Sequence, residues 1–250
     1  MLSFLAQEKE DISWQALIHR VPRGVLAWAV RAGTNTLATP DNLARWGVRV
    51  DTRCKVQDCG LPSNLGHLLN GCKKSLDRFE FRHDSVLAHL ASRIAAHKPE
   101  TMELYADLEG WKVNGGTVPP DLVATGQRPD IVLLDRQKKT IVLLELTCPF
   151  DSSANSFKEA FDRKTERYEW LTLDCEGLGY TTYNTTLEIG ARGVIIARNQ
   201  TVLAMVARMC NIRDLKKLRR TLEKIALLAS HRIYLARNRS EWCSGKVVSP

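Results

Sequence analysis

The chain has 250 residues, 44% of them hydrophobic and 26% charged, which suits one large globular domain or two modest ones. Lys and Arg number 36 against 28 Asp and Glu, a formal net charge of +8, a moderate excess that fits an anionic partner such as nucleic acid and that many soluble proteins share. No apolar run approaches the roughly 20 residues of a membrane span. The opening MLSFLAQEKEDISW turns acidic too early for a secretory signal.

In chain order, residues 12–32 read as one or two short helices. PRGVLAWAVRAG places proline near a start and glycine near a stop. TNTLATPDNLARWG offers Thr, Asp and Asn caps for a second short helix ending at Gly47. Residues 51–74 are rich in cysteine and turn residues. From Leu76 to His97, Val86, Leu87, Leu90 and Ile94 fall near helical spacing and predict a long amphipathic helix. DLEGWKVNGGTVPPDLVATGQRP, rich in Gly and Pro, predicts loops with a short strand or two.

Two apolar runs follow, at about 130–135 and 140–147, joined by the basic turn DRQKKT. SSANSFKEAFDRKTERYEWLTLDC reads as one capped helix with Phe157, Phe161, Tyr168 and Leu171 toward the core. YTTYNTTLEIGARGVIIA predicts another strand or two, and Gln200 to about Asn238 is helical. This order is that of an α/β fold. The first 75 residues read as a smaller module: a helical region over 1–50 and a cysteine knuckle over 51–75, ahead of a main domain over 76–250.

Cys54, Cys59, His67 and Cys72 follow the pattern C-x4-C-x7-H-x4-C. Three thiolates and an imidazole form a complete ligand set for closed, tetrahedral Zn2+. The loop between them carries little apolar material, so metal would have to stabilise it. The plainer reading is three unrelated cysteines beside a surface histidine. The odd total of seven cysteines argues against a disulfide framework.

Asp130 and Glu145 stand at the edges of the two apolar runs. Strand parity puts Glu145 and Thr147 on one face and Leu144 and Leu146 on the other. If the runs pair through the DRQKKT turn, Asp130 and Glu145 meet across the ladder. Two carboxylates at one rim are hard-oxygen ligands suited to Mg2+ or Mn2+, ions that activate water and stabilise charge on a phosphodiester. Lys158, Lys164 and Arg167 on the next helix can supply a cation, and Lys164 and Tyr168 lie one turn apart. The alternative is a buried hairpin whose acids merely end its strands. His83 and Asp84, on the long helix, read more readily as a surface pair than as site residues.

Taken in order, the cysteine–histidine knuckle, RHDSVLAHLA, RPD, ELTCPFD, KTERYEWL and IGARG resemble the C-terminal part of the polyprotein of site-specific non-LTR retrotransposons that carry a restriction-like endonuclease. TLATPDNLARWG is similar to the segment leading into their zinc knuckle, and the resemblance runs from about Leu37 to about Ala197. It implies a PD-(D/E)xK nuclease core, a central mixed sheet flanked by helices, that nicks DNA with a divalent cation. It implies Asp130 and Glu145 as metal ligands and Lys164 as the catalytic lysine. Thr147 stands where many restriction enzymes have lysine; in this family the lysine sits on the following helix. The first cysteine pair is spaced more widely than the family pattern.

In such elements the nick primes reverse transcription, which implies a reverse transcriptase in cis or trans, DNA and element RNA as partners, and a nuclear location. No polymerase-like paired-aspartate run is present, so the expectation is a fragment, a degenerate or split copy, or a host protein derived from one. A catalytically inactive zinc-knuckle nucleic-acid binder is the alternative function.

From Arg208 to Arg239 there are ten Lys or Arg and two acids. Leu215, Leu218, Leu222, Ile225 and Leu228 repeat at helical spacing. Lys216, Lys217, Arg219, Arg220 and Lys224 then form a basic stripe suited to DNA phosphates, or an ordinary charged helix face.

Overall fold

The computed structural model describes residues 20–48, 50–152, 154–239 and 241–243. The one or two short helices expected over 12–32 therefore lie partly outside the described residues. Their described part is α1 (Arg23–Gly33), which buries Val25, Trp28, Ala29 and Ala32 on one stripe. α2 (Pro40–Arg45) starts as its sequence predicts: Thr39 accepts from the Asn42 amide, and Pro40 occupies the first turn. After the knuckle come α3 (Leu76–Ala95), β1 (Met102–Ala106), β2 (Ile131–Asp135) and β3 (Thr140–Thr147). α4 (Ala154–Arg167), α5 (Glu169–Gly177), β4 (Thr181–Glu188), α6 (Ala197–Met209) and α7 (Leu215–Leu235) complete the described chain.

The fold is mixed α/β. One four-stranded sheet in the order β1-β2-β3-β4 is antiparallel except for the parallel β3–β4 pair. α4 and α5 form the crossover that a parallel pair requires. Helices flank both faces, which explains why IVLLELT is apolar at nearly every position. Val142, Leu144 and Leu146 join a core with α3, α6 and α7, whereas Ile141 and Leu143 join Tyr168, Leu171 and Cys175 beneath α5. A third cluster joins Val25 and Trp28 of α1 and Leu65 and Leu69 of the knuckle to Leu227, Ile233 and Tyr234 of α7.

Two elements and one side chain depart from expectation. β1 lies just ahead of the Gly- and Pro-rich stretch that begins at Asp107, where the sequence predicts no element. It is short, and Glu103, Leu104 and Tyr105 are only half-buried. The predicted single helix after β3 is broken at Tyr168, whose amide bonds Thr165 rather than continuing the ladder. Burying the Tyr168 ring and donating its hydroxyl to the Arg128 carbonyl at 2.9 Å bends the chain there. Phe161 is half-buried, capped by the Arg198 guanidinium 4.2 Å from its ring.

The segment after β4 is shaped by two close approaches. At Gly193, with φ +84, an added Cβ would lie 2.8 Å from the Glu223 carbonyl of α7. At Gly190 it would lie 2.6 Å from an Asp151 carboxylate oxygen. Asp151 is wholly buried and paired with Arg192 at 2.7 Å, so it has no room to yield. Gly190→Ala is expected to destabilise the fold by roughly 1–3 kcal/mol, the usual cost of overpacking, read as a lower urea midpoint at unchanged slope. An unchanged midpoint refutes the packing argument.

Candidate active site and metal centre

The residues before β2 are pinned one by one. The Arg128 carbonyl accepts from Tyr168, the Pro129 carbonyl from the Thr117 hydroxyl at 2.8 Å, and the Asp130 carbonyl from the Asp107 amide at 2.9 Å. Ile131 pairs with Leu144, so the next antiparallel position sets Asp130 opposite Glu145, on the same face. The Asp130 amide donates to Glu145 Oε2 at 3.2 Å, and the Leu146 amide donates to Asp130 Oδ2 at 2.7 Å. Lys164 of α4 pairs with Glu145 Oε1. The structure therefore brings Asp130, Glu145 and Lys164 together at one rim of the sheet. Thr147 lies beyond them on the Glu145 face, at the β4 register position of Glu188.

These side chains line a cleft of about 550 Å3 with Glu80, His83 and Asp84 from α3, and with Asp107, Lys112, Arg128 and Arg167. Burial and the adjacent Asp130 carboxylate push the Glu145 pKa up, against the pull of Lys164. Asp130 Oδ2 takes both the Leu146 and the His83 bond, which leaves Oδ1 outside those contacts. Two carboxylates held by backbone amides thus face each other beside a lysine at this rim.

His83 is the residue whose role the sequence left with the surface reading. Its Nε2 lies 3.1 Å from Asp130 Oδ2, and its Nδ1 lies 3.0 Å from Asp84 Oδ1. Burial opposes its charge, but Asp130 and Asp84 outweigh that and raise its pKa well above the ordinary imidazole value. A folded pKa above the unfolded one stabilises the fold fully below about pH 6.5, and this contribution is lost as pH rises through the folded pKa. With zinc retained and no added magnesium, His83→Gln is expected to remove that pH dependence from urea-unfolding curves. A parallel pH dependence in the variant would refute the assignment.

The cysteine cluster is compact. The ligand atoms of Cys54, Cys59, His67 and Cys72 all lie within 4.8 Å of one another, so they can hold a metal ion such as zinc. Cys54 Sγ and Cys72 Sγ are 3.9 Å apart, and Cys59 Sγ and His67 Nε2 are 3.6 Å apart. Zinc bonds of about 2.3 Å to sulfur and about 2.05 Å to nitrogen, at tetrahedral angles, place two sulfurs about 3.8 Å apart and sulfur about 3.6 Å from nitrogen. A disulfide would instead bring the sulfurs to about 2.05 Å. Gln57 and Asp58 both adopt positive φ in the loop between the first two ligands. Such conformations cost of order 1–3 kcal/mol each, which metal binding can offset.

The basic stripe on α7 lies apart from the cleft, whose lining includes none of its five residues. Lys216 and Lys217 are exposed, while Arg220 and Lys224 are half-buried. Arg219 is engaged by Glu223 at 2.8 Å, which draws its charge away from any phosphate.

No protein-family model matches the chain, and no curated protein matches it.

Proposed function

We propose that the chain is a divalent-metal-dependent DNA endonuclease with a restriction-endonuclease-like core, derived from a non-LTR retrotransposon, that nicks its target by phosphodiester hydrolysis. The observation that carries the reading is the meeting of Asp130, Glu145 and Lys164 in one cleft, from strand ends and a helix far apart in sequence. Asp130, through Oδ1, and Glu145 would hold Mg2+ or Mn2+. Such an ion supplies an activated water and neutralises charge on the phosphate.

The chain's own groups have separable tasks. The Leu146 and Asp130 amides hold the two carboxylates in place before substrate arrives. Lys164 balances the charge of Glu145 and presents an ammonium where a scissile phosphate would lie. Arg167 at the rim, and the α7 stripe through Lys216 and Lys217, offer phosphate contacts that orient a duplex without reading bases, whereas Arg128 is engaged by Asp107. The knuckle, as a closed zinc site, has a structural task. The same reading brings DNA and element RNA as partners, a reverse transcriptase domain in cis or trans, and action in the nucleus.

A plasmid-nicking assay with the full chain tests it. Supercoiled DNA should relax to open circles with Mg2+ or Mn2+ and stay intact in metal-free buffer. Retention of DNA without nicking under both metals would overturn the nuclease reading and leave a nucleic-acid binder.

A further inference from the structure

The carbonyl of Cys148 lies just past the end of β3, three residues beyond Glu145. It accepts two side-chain hydrogen bonds. One comes from Asn70 Nδ2 at 2.7 Å and the other from Arg82 Nη2 at 3.2 Å. Asn70 belongs to the π-helical turn His67–Gly71, between the ligands His67 and Cys72. Its Oδ1 is buried and finds no partner among the described residues, so the amide is held in a costly position while it serves Cys148.

Arg82 is fully buried; among the described residues its NH groups bond carbonyl and hydroxyl oxygens and no carboxylate, and its Nε finds no partner. Its Nη1 donates to the Leu69 carbonyl of the same turn and to Ser230 of α7, each at 3.1 Å. Burying a guanidinium is expensive unless its donors are met by fixed acceptors. The acceptors here are the knuckle, α7 and the exit of β3. Arg82 also precedes His83, the residue on Asp130. Phe150 packs on the same side: a Cβ at Gly66 would lie 3.2 Å from its ring.

We infer that the Cys3His knuckle is a brace for the carboxylate cleft: the metal-closed turn, through Asn70 and Arg82, fixes the chain that leaves β3 and thereby positions Glu145. Asn70 and Arg82 are positioning residues, since neither lines the cleft. A knuckle of this kind is built into the domain's frame, unlike a finger that acts by gripping nucleic acid. The effect on cleavage rests on the nuclease reading above, and the brace itself does not.

Hydrogen exchange on the full chain, followed by mass spectrometry, tests both parts. Removing zinc with a chelator should speed exchange in peptides covering residues 145–150 while residues 181–188 keep their protection. Asn70→Leu, similar in size but without the donor, should retain zinc. It should raise exchange at residues 145–150 about five- to tenfold, the scale of one hydrogen bond. Its nicking kcat should fall by a similar factor with DNA affinity unchanged. Unaltered exchange at 145–150 after zinc removal, or a uniform rise across both segments, overturns the inference. So does an Asn70→Leu protein with wild-type exchange. If the wild type does not nick DNA, the nuclease reading fails, and the exchange data still decide the brace.

Discussion

Asp130→Asn and Glu145→Gln are each expected to abolish DNA nicking. Both changes keep the side-chain shape and an acceptor oxygen, so the Leu146 and Asp130 amides retain partners. What is lost is the negative charge that would bind the cation. Cation loss removes several kcal/mol of transition-state stabilisation, and each 1.36 kcal/mol is a factor of ten in rate. The expected fall is therefore on the order of 10^3-fold or more.

DNA retention should persist or strengthen, because the proposed phosphate contacts of Arg167, Lys216 and Lys217 are unaltered and a negative charge has left the cleft. Lys164→Ala should also lose nicking while metal binding survives, since its ammonium is a partner of Glu145 and not a ligand. Plasmid relaxation at saturating Mg2+, with DNA binding measured in parallel, separates these effects. An Asp130→Asn protein that nicks at the wild-type rate removes the site from consideration.

Zinc removal is expected to have the second large effect, on the fold. Around the loop that joins Cys54 to Cys59 the buried apolar set is Cys54, Val56 and Cys72, with Cys59 and Phe79 packed against it, while Leu65, Leu68 and Leu69 bury instead against α1 and α7. That is too little surface to order a loop containing two left-handed non-glycine residues. Without metal, burial pushes the Cys54 thiol up to about 11, so it stays protonated at neutral pH. With metal it becomes a thiolate ligand, and ligation supplies the missing stability. Structural zinc in small finger peptides contributes about 10–16 kcal/mol.

Purified protein should carry about one zinc per chain. Cys72→Ser should lose it and unfold at a markedly lower temperature. Because Leu65 and Leu69 of the knuckle share a core with α1 and α7, the damage should reach those two helices, while the β3–β4 ladder, outside that cluster, keeps its pairing. Elemental analysis and thermal unfolding check this. Zinc-free wild-type protein, or Cys72→Ser with full zinc and unchanged melting, refutes it.

Local pattern was enough to read several features from residue order alone. Helical spacing of Val86, Leu87, Leu90 and Ile94 marks α3, which spans Leu76–Ala95. The two apolar runs are β2 and β3, and the DRQKKT turn pairs them in the register that brings Asp130 to Glu145. The four knuckle ligands are a short-range motif, and their spacing marks a cluster before any fold is known. These features are local because they depend on periodicity, turn chemistry or ligand type over a few residues.

Other features exist only once distant segments pack. β1 has five residues, three of them half-buried, and pairing with β2 makes it a strand. The break at Tyr168 follows from burying one ring against β2 and β3, a demand that helix propensity does not contain. His83 looks like half of a surface pair until α3 crosses the end of β2 and sets its imidazole on Asp130, 47 residues away. Lys164 is one of several helix cations until the crossover sets it on Glu145, which Lys158 and Arg167 do not reach in this way. The bond from Asn70 to Cys148 spans 78 residues and rests on a single amide. Nothing in the composition of either segment marks it, because hydrogen-bond partners at that separation are chosen by packing.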